Sequence, residues 1–428
     1  IRVIFKCFTR KAMWRNRLCD CFIALSDATK NNDIIFAKNS DREFYEAHQV
    51  VSIPRKSYAP GEKIALTYIE IDQVAVTNEI FISKPHWIWG AEMGVNEYGL
   101  MIGNEAIFSP VSAEGPDGII GMDLLRLALE RAMNVDEAVT VITDLLEQHG
   151  QAGNCGYKEE CRYHNAFLIA DPNGGVILET IDRDWVVRPA NNVDAISNAL
   201  TVRDKFIRSS DMLESNTIKR GLLNSGETLS FKKAYEDVGD SEFGNQRRQF
   251  SLSVLEPKQG KITITDAFKH LRSHGDPNAI DQNYGDMGRP RLCVHMKGSF
   301  LDATTGSMVS SLSEDKQIHW VTATPAACTS LFKPFLVGLE LPQHGPLPGE
   351  AEDQNSLWWR HETLRLFLLN KADKEDIDRF EHERDGLEKE FVRLMDACPT
   401  LDSIQSRQEC QEAVNSCWQR AEIFESKW

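Results

Sequence analysis

The sequence predicts an α+β protein with two sheets packed face to face and helices outside them. Three observations lead there. Short apolar runs bounded by turn residues recur from residue 22 onward, two amphipathic helical patterns interrupt them, and the last part of the chain is helical in pattern.

The strands come first. Residues 22–25 and 34–37 are apolar runs, and the polar stretch between them carries Asn31-Asn32-Asp33 as a hairpin turn. Further runs lie at 74–76, 80–83 and 100–102. Residues 166–170 and 176–180 flank Asp171-Pro172-Asn173-Gly174-Gly175, where Pro-set and Gly-permitted backbone angles give the clearest hairpin in the chain. Residues 185–188 and 195–197 continue the meander, and strands return near 292–295, 308–311 and 319–322. The first helix, 122–133, puts Leu124, Leu125, Ala128, Leu129 and Ala132 on one face. The second, 135–147, does the same with Ala138, Val139, Ile142, Leu145 and Leu146, and Gly150 ends it. Residues 204–260 are polar and show no clear period. A Pro- and Gly-rich loop, 341–352, precedes the helical tail, where Ile377, Phe380, Leu387, Phe391 and Leu394 form a core-facing stripe. The organisation expected is a leader at 1–18, a main domain at 19–340 and a helical extension at 353–428 packed on it.

The chain carries 48 Lys and Arg against 64 Asp and Glu, a net charge of −16, which repels phosphate backbones and anionic membrane faces. A nucleic-acid partner is therefore not expected. Nor is integral membrane association, since no run approaches the ~20 apolar residues that span a bilayer. The ten cysteines, at 7, 19, 21, 155, 161, 293, 328, 398, 410 and 417, include no pair of C-x-x-C motifs. No metal and no cofactor is expected, and there is no Gly-rich phosphate loop, HExxH or GxSxG. Without a secretory apolar core the cysteines read as buried thiols of a cytoplasmic protein, although Cys155 and Cys161 share a Gly-rich loop and could pair. Residues 1–18 hold Arg2, Lys6, Arg10, Lys11, Arg15 and Arg17 without an acid, which suits a leader, with Met13 as an alternative start. His274-Gly275-Asp276 reads as a satisfied loop histidine rather than a ligand, and His86, Trp87 and Trp89 as a core or pocket wall.

The segment that can carry chemistry is Cys19-Asp20-Cys21 followed by Lys38-Asn39-Ser40-Asp41-Arg42. A hairpin turning near Asn31 brings its open ends together and places Cys19 beside residues 38–41. A thiol next to a cation ionises more readily, and the thiolate is the reactive form. The same residues also suit a small core cysteine and a solvated strand end.

Longer matches decide between these readings. Cys19-Asp20-Cys21-Phe22 and Phe36-Ala37-Lys38-Asn39-Ser40-Asp41-Arg42 resemble the opening of the secernins and the related cysteine dipeptidases. So do Trp87-Ile88-Trp89-Gly90-Ala91-Glu92-Met93-Gly94, Gly103-Asn104-Glu105-Ala106, Glu147-Gln148-His149-Gly150-Gln151, Phe332-Lys333-Pro334-Phe335 and Trp359-Arg360-His361-Glu362. The resemblance runs from about residue 19 to residue 370. It implies an N-terminal-nucleophile hydrolase, a four-layer αββα sandwich in which the first residue of the mature chain is the nucleophile and its own α-amino group the base. A free α-amine has a pKa of about 7.7–8.0 and can accept a proton near neutrality, which an amide cannot. Residues 1–18 would have to be removed.

By the same resemblance Cys19 would attack a peptide or amide carbonyl. Lys38 would lower the thiol pKa or hold substrate, and Asp41 would orient the terminal amine. Asn104 or Asn198 would donate to the oxyanion, and Asn39, Arg42 and Trp89 would line the substrate. Cys21, on the same strand face as Cys19, is the alternative nucleophile. The activity implied is that of a cysteine dipeptidase acting on small peptides or amides. The other reading the family allows is a catalytically silent protein of regulated exocytosis, with a component of the exocytic machinery as its partner. A redox sensor using Cys19 and Cys21 is a third.

Overall fold

The structure, a computed structural model, describes residues 19–113, 115, 117–275, 291–295 and 302–428. The expected leader, residues 1–18, lies outside the described residues. The described chain opens with an antiparallel hairpin, β1 (Asp20–Ala24) and β2 (Ile34–Glu43). β3 (His48–Ile53) follows, then two short ribbons, in which β4 (Lys56–Ser57) pairs with β7 (Val76–Thr77) and β5 (Lys63–Ala65) with β6 (Glu70–Asp72). β8 (Ile80–Pro85), β9 (Met93–Asn96) and β10 (Met101–Ile107) lead into α1 (Gly121–Arg131) and α2 (Val135–His149). β11 (His164–Asp171), β12 (Gly174–Ile181), β13 (Asp184–Pro189), β14 (Val193–Ile196) and β15 (Arg208–Ser209) come next. The polar stretch after them folds into α3 (Leu213–Lys219), α4 (Phe231–Tyr235), α5 (Val238–Leu255) and α6 (Ile264–Leu271). β16 (Asp302–Leu312), β17 (Gln317–Val321) and β18 (Lys333–Phe335) precede α7 (Leu357–Asn370), α8 (Lys374–Ala397) and α9 (Ile404–Lys427).

Among the described residues the strands form a six-stranded sheet, β14-β1-β2-β16-β17-β18, and an eight-stranded sheet, β15-β13-β12-β11-β10-β9-β8-β3. Both are antiparallel; short turns join pairs such as β11–β12 and β12–β13, while β1–β14 and β2–β16 are neighbours from distant parts of the chain. Helices α1 and α2 pack on β9–β12 of the larger sheet, and α5 and α6 on β1, β2, β14 and β16 of the smaller one. Between the sheets, Phe36, Phe81, Met93 and Leu168 belong to one apolar core that continues past Phe22 on the helix-facing side and into the C-terminal helices through Phe380, Phe391 and Trp418. A second core under α1 and α2 holds Leu124, Leu125, Ile142, Leu146, Phe167 and Ile169. The layers are therefore α, β, β, α, as the resemblance implies.

Three expectations shift. The apolar triplet 74–76 yields only the two-residue β7, because Val76 is 43% exposed and has no core to face. Residues 292–295 do not form a strand; their ladder is a single bridge from His295 to Ala303. The stretch 204–260, unreadable by period, is largely helical: α5 presents serines, glycine and Arg247 to the smaller sheet, so its buried face carries no apolar stripe.

Candidate active site

The hairpin register pairs Cys21 with Lys38 and Asp20 with Asn39. Alternate residues of a strand point to opposite faces, and the two faces here have different surroundings. Cys21 and Lys38 point at the larger sheet, where Gly103 of β10 receives them: a Cβ there would stand 2.9 Å from Cys21 Sγ and 2.7 Å from Lys38 Cδ. Asp20, Asn39 and Asp41 point the other way, toward α5 and α6.

Cys19 lies at the head of β1 and is 5% exposed. The Asp41 N–H donates to its Sγ at 3.2 Å. Its own N donates to Asn198 Oδ1 at 2.8 Å, and its carbonyl accepts from Ser197 Oγ at 3.0 Å. Asn198 Nδ2 reaches across to Ala106 O of β10 at 3.0 Å, so this one amide ties the start of β1 to the opposite sheet. Gly244 of α5 allows it: a Cβ there would lie 2.6 Å from the Asn198 carbonyl carbon. Lys38 Nζ donates to Asn104 O at 2.5 Å and pairs with Glu105 at 3.3 Å, all three residues being buried.

Arg247, from the stretch that sequence could not read, holds the other face together. Its Nη2 bonds the carboxylates of both Asp20 and Asp41, the latter at 2.9 Å. Thr304 Oγ1 donates to the second Asp41 oxygen at 2.6 Å. Here β16 carries a bulge between Thr304 and Gly306, an irregularity that re-aims side chains and is common beside active sites.

Electrostatics follow from burial. Burial pushes the Cys19 thiol well above its usual range; Lys38 pulls the other way, and Glu105, Glu92 and Asp41 add to the rise. Burial opposes the Lys38 cation, but Cys21, Glu105, Cys19 and Glu92 outweigh it and hold Lys38 protonated. Burial lifts Asp41 to about 6 against Arg247 and Thr304. The resting thiol is thus neutral and needs a base within reach to become a nucleophile.

The remaining expected residues are placed differently. The Asn39 amide donates to Leu271 O (2.8 Å) and Leu292 O (2.6 Å) and accepts from Ser307, all on the helix-facing side. Arg42 is 1% exposed and bonded to Glu46, Glu92, Tyr163 and the Cys155 carbonyl. Both are held by the protein's own groups, so their polar atoms are engaged in the framework. Trp89 is not brought to the thiol either: it packs against the second core with the Arg126 guanidinium 4.0 Å from its ring centre. The Asn104 amide is satisfied with Nδ2 toward Glu92, 3.1 Å from its O and 3.0 Å from its Oε2, and its carbonyl accepts from Lys38. A cleft of about 420 Å³, lined by Lys333, His344, Arg360, Trp418 and Glu425, lies among the C-terminal helices and includes none of the residues around Cys19.

A head-of-strand cysteine between two sheets, flanked by helix layers on both outer faces, defines the architecture. The layer order is that of the four-layer αββα sandwich which the resemblance implies. Residues 28–192 match the family model described as acyl-coenzyme A:6-aminopenicillanic acid acyl-transferase, a span that begins after Cys19 and ends before Asn198. Among solved structures, a mutant conjugated bile acid hydrolase from Clostridium perfringens is 14% identical over 76% of this chain and 93% of its own, with a TM-score of 0.43. A penicillin V acylase from Agrobacterium tumefaciens is 13% identical over 75% and 86%, at 0.40. The Caenorhabditis elegans ortholog of N-acylethanolamine-hydrolyzing acid amidase is 12% identical over 68% and 92%, at 0.35. These values are too low to transfer residues, and the layer order rests on the strand pairing and helix packing above. Among the described residues, no helix is long and apolar enough to cross a membrane.

Proposed function

We propose that this chain is a cysteine amide hydrolase that becomes active when cleavage between Leu18 and Cys19 frees the Cys19 amine. The carrying observation is the setting of Cys19, with its Sγ facing the Asp41 N–H and its N held by Asn198 Oδ1. A neutral, buried thiol needs a base, and the freed amine sits on the same residue with a suitable intrinsic pKa of about 7.7–8.0. In this reading the amine takes the thiol proton as Sγ attacks the substrate carbonyl. The proton then passes to the leaving amine, and the acyl group stays on Cys19 as a thioester. Water, deprotonated by the same amine, releases the acid and restores the thiol. Lys38 stabilises the developing thiolate, Asp41 and Asn198 position the amine, and the Asn198 amide, bonded at rest to the Ala106 carbonyl, and the Asp41 N–H, at rest on Sγ, would turn to the oxyanion.

For the substrate we favour small peptides, on the secernin and dipeptidase resemblance; the proteins with similar folds carry names of acylases and amidases, which extends the class to N-acyl amides. We place the protein in the cytoplasm on the same reading. The intact mass and N-terminal sequence of the purified protein test the premise, followed by hydrolysis assays on dipeptides and N-acyl amides. A chain beginning at Cys19 that turns over either class supports the proposal. A protein that retains residues 1–18 and binds secretory-cell proteins without turnover would replace it with the silent, exocytosis-linked reading.

A further inference from the structure

We propose that His274, Cys293, His295 and Cys328 form a closed tetrahedral zinc site that braces the helix-facing side of the Cys19 hairpin. One ligand atom from each lies within 4.8 Å of all the others. Cys293 Sγ is 3.3 Å from His295 Nε2, which is 2.9 Å from Cys328 Sγ. With Zn–S near 2.3 Å and Zn–N near 2.0 Å, the edges of a tetrahedron are roughly 3.3–3.8 Å, so the four groups need only small adjustments to enclose an ion. Two thiolates and two imidazoles are the donor set zinc prefers, and four protein ligands leave no open position. Binding releases the two thiol protons to solvent.

The surroundings are built for a fixed centre. Cys293, His295 and Cys328 are 0%, 4% and 9% exposed, and His274 Nε2 has no hydrogen-bond partner among the described residues. Cys293 and His295 alternate in sequence and share a face, while Val294 between them exchanges bonds with Thr304: its N–H donates to Thr304 Oγ1 at 2.9 Å and its carbonyl accepts the Thr304 N–H at 3.0 Å. Cys328 comes from a turn that holds Ala323 and Ala326 at φ of 53° and 60°, a conformation non-glycine residues seldom adopt. Arg384 of α8 donates to the Cys328 carbonyl.

The ion would join the end of α6, the segment 291–295 and the turn after β17. The middle one matters to the active site. Leu292 O accepts from Asn39, and Thr304, bonded to Val294, also donates to Asp41. The metal would fix the partners of two hairpin residues without touching the reacting atoms.

The test uses the full chain, purified under reducing conditions without chelator. Metal analysis is expected to give about one zinc per chain, and X-ray absorption two sulfur neighbours near 2.3 Å and two nitrogens near 2.0 Å. The variants Cys328→Ser and His274→Asn should lose the zinc, the second with its circular dichroism unchanged because His274 is the least buried ligand. Cobalt added to the metal-free protein should give thiolate-to-metal charge-transfer absorption that His274→Asn weakens. Reduced protein that carries no zinc and takes up none on titration would overturn the proposal, and so would a Cys293–Cys328 disulfide in the freshly isolated chain. Neither result depends on whether Cys19 is active.

Discussion

The two faces of the β1–β2 hairpin are built to opposite specifications. Toward the larger sheet stand Cys19, Cys21 and Lys38 against Gly103, a buried wall in which Lys38 is paired with Glu105. Toward α5 and α6 stand Asp20, Asn39 and Asp41, bonded to Arg247, Thr304, Ser307 and two backbone carbonyls. One face holds a sulfur whose main contacts are the main-chain N–H and carbonyl of Asp41; the other is over-determined. A nucleophile must keep room for a reacting atom, so its position has to be fixed by its neighbours.

Changes on the first face should affect turnover and changes on the second stability, with Asp41, whose carboxylate lies on the second face and whose N–H meets the thiol, affecting both. The largest effect belongs to Cys19→Ala, which should lower kcat by on the order of 10⁶-fold in the processed chain while leaving its circular dichroism unchanged. Arg247→Met comes next. It leaves Asp20 and Asp41 as buried carboxylates without their cation, and urea unfolding should report a loss of about 3–5 kcal/mol. Asn198→Ala crosses the division, since its amide touches both sheets; turnover should fall by about 10²–10³ with a smaller change in stability.

The pH response of Asp41 sharpens the same contrast. Turnover should rise as pH increases through about 6, where its carboxylate forms, and Asp41→Asn should abolish that limb. On stability the sign is reversed. A folded pKa of about 6 lies above the unfolded value near 3.9, so the contribution of Asp41 is full below about pH 4 and is lost as pH rises through about 6. The smallest effect is that of Cys21→Ala. A shallow void beside Gly103 should cost about 1 kcal/mol, with turnover nearly unchanged, whereas a large fall in kcat would move the nucleophile to Cys21.

Local pattern was enough to find the hairpin, because its turn residues and apolar runs are contiguous, and hence to bring Cys19 beside residues 38–41. The helix pair α1 and α2 was legible for the same reason. Arg247 was not. It meets Asp41 across 206 positions, from a helix whose buried face is polar, and no periodicity marks such a residue. Gly103 and Gly244 were equally silent, since a glycine chosen for close approach looks like any other until the partner strand or helix is placed. Asn39, Arg42 and Trp89 show the converse limit: proximity to a motif in sequence does not tell where a side chain will be bonded, and the fold engages all three in its own contacts. His274, Cys293, His295 and Cys328 come from three separate segments, so no C-x-x-C spacing could announce them.

Arg42 and Lys38 share the space between the sheets with Glu46, Glu92 and Glu105, and Arg247 sits behind with Asp20 and Asp41. Five acidic side chains stand there with three basic ones, and burial lifts Asp20, Asp41 and Glu105 toward their neutral forms. A freed amino terminus would enter this cluster as the base, and on taking the thiol proton it would become a cation among acids. The same carboxylates that hold the Cys19 thiol up would then steady the ammonium formed beside it.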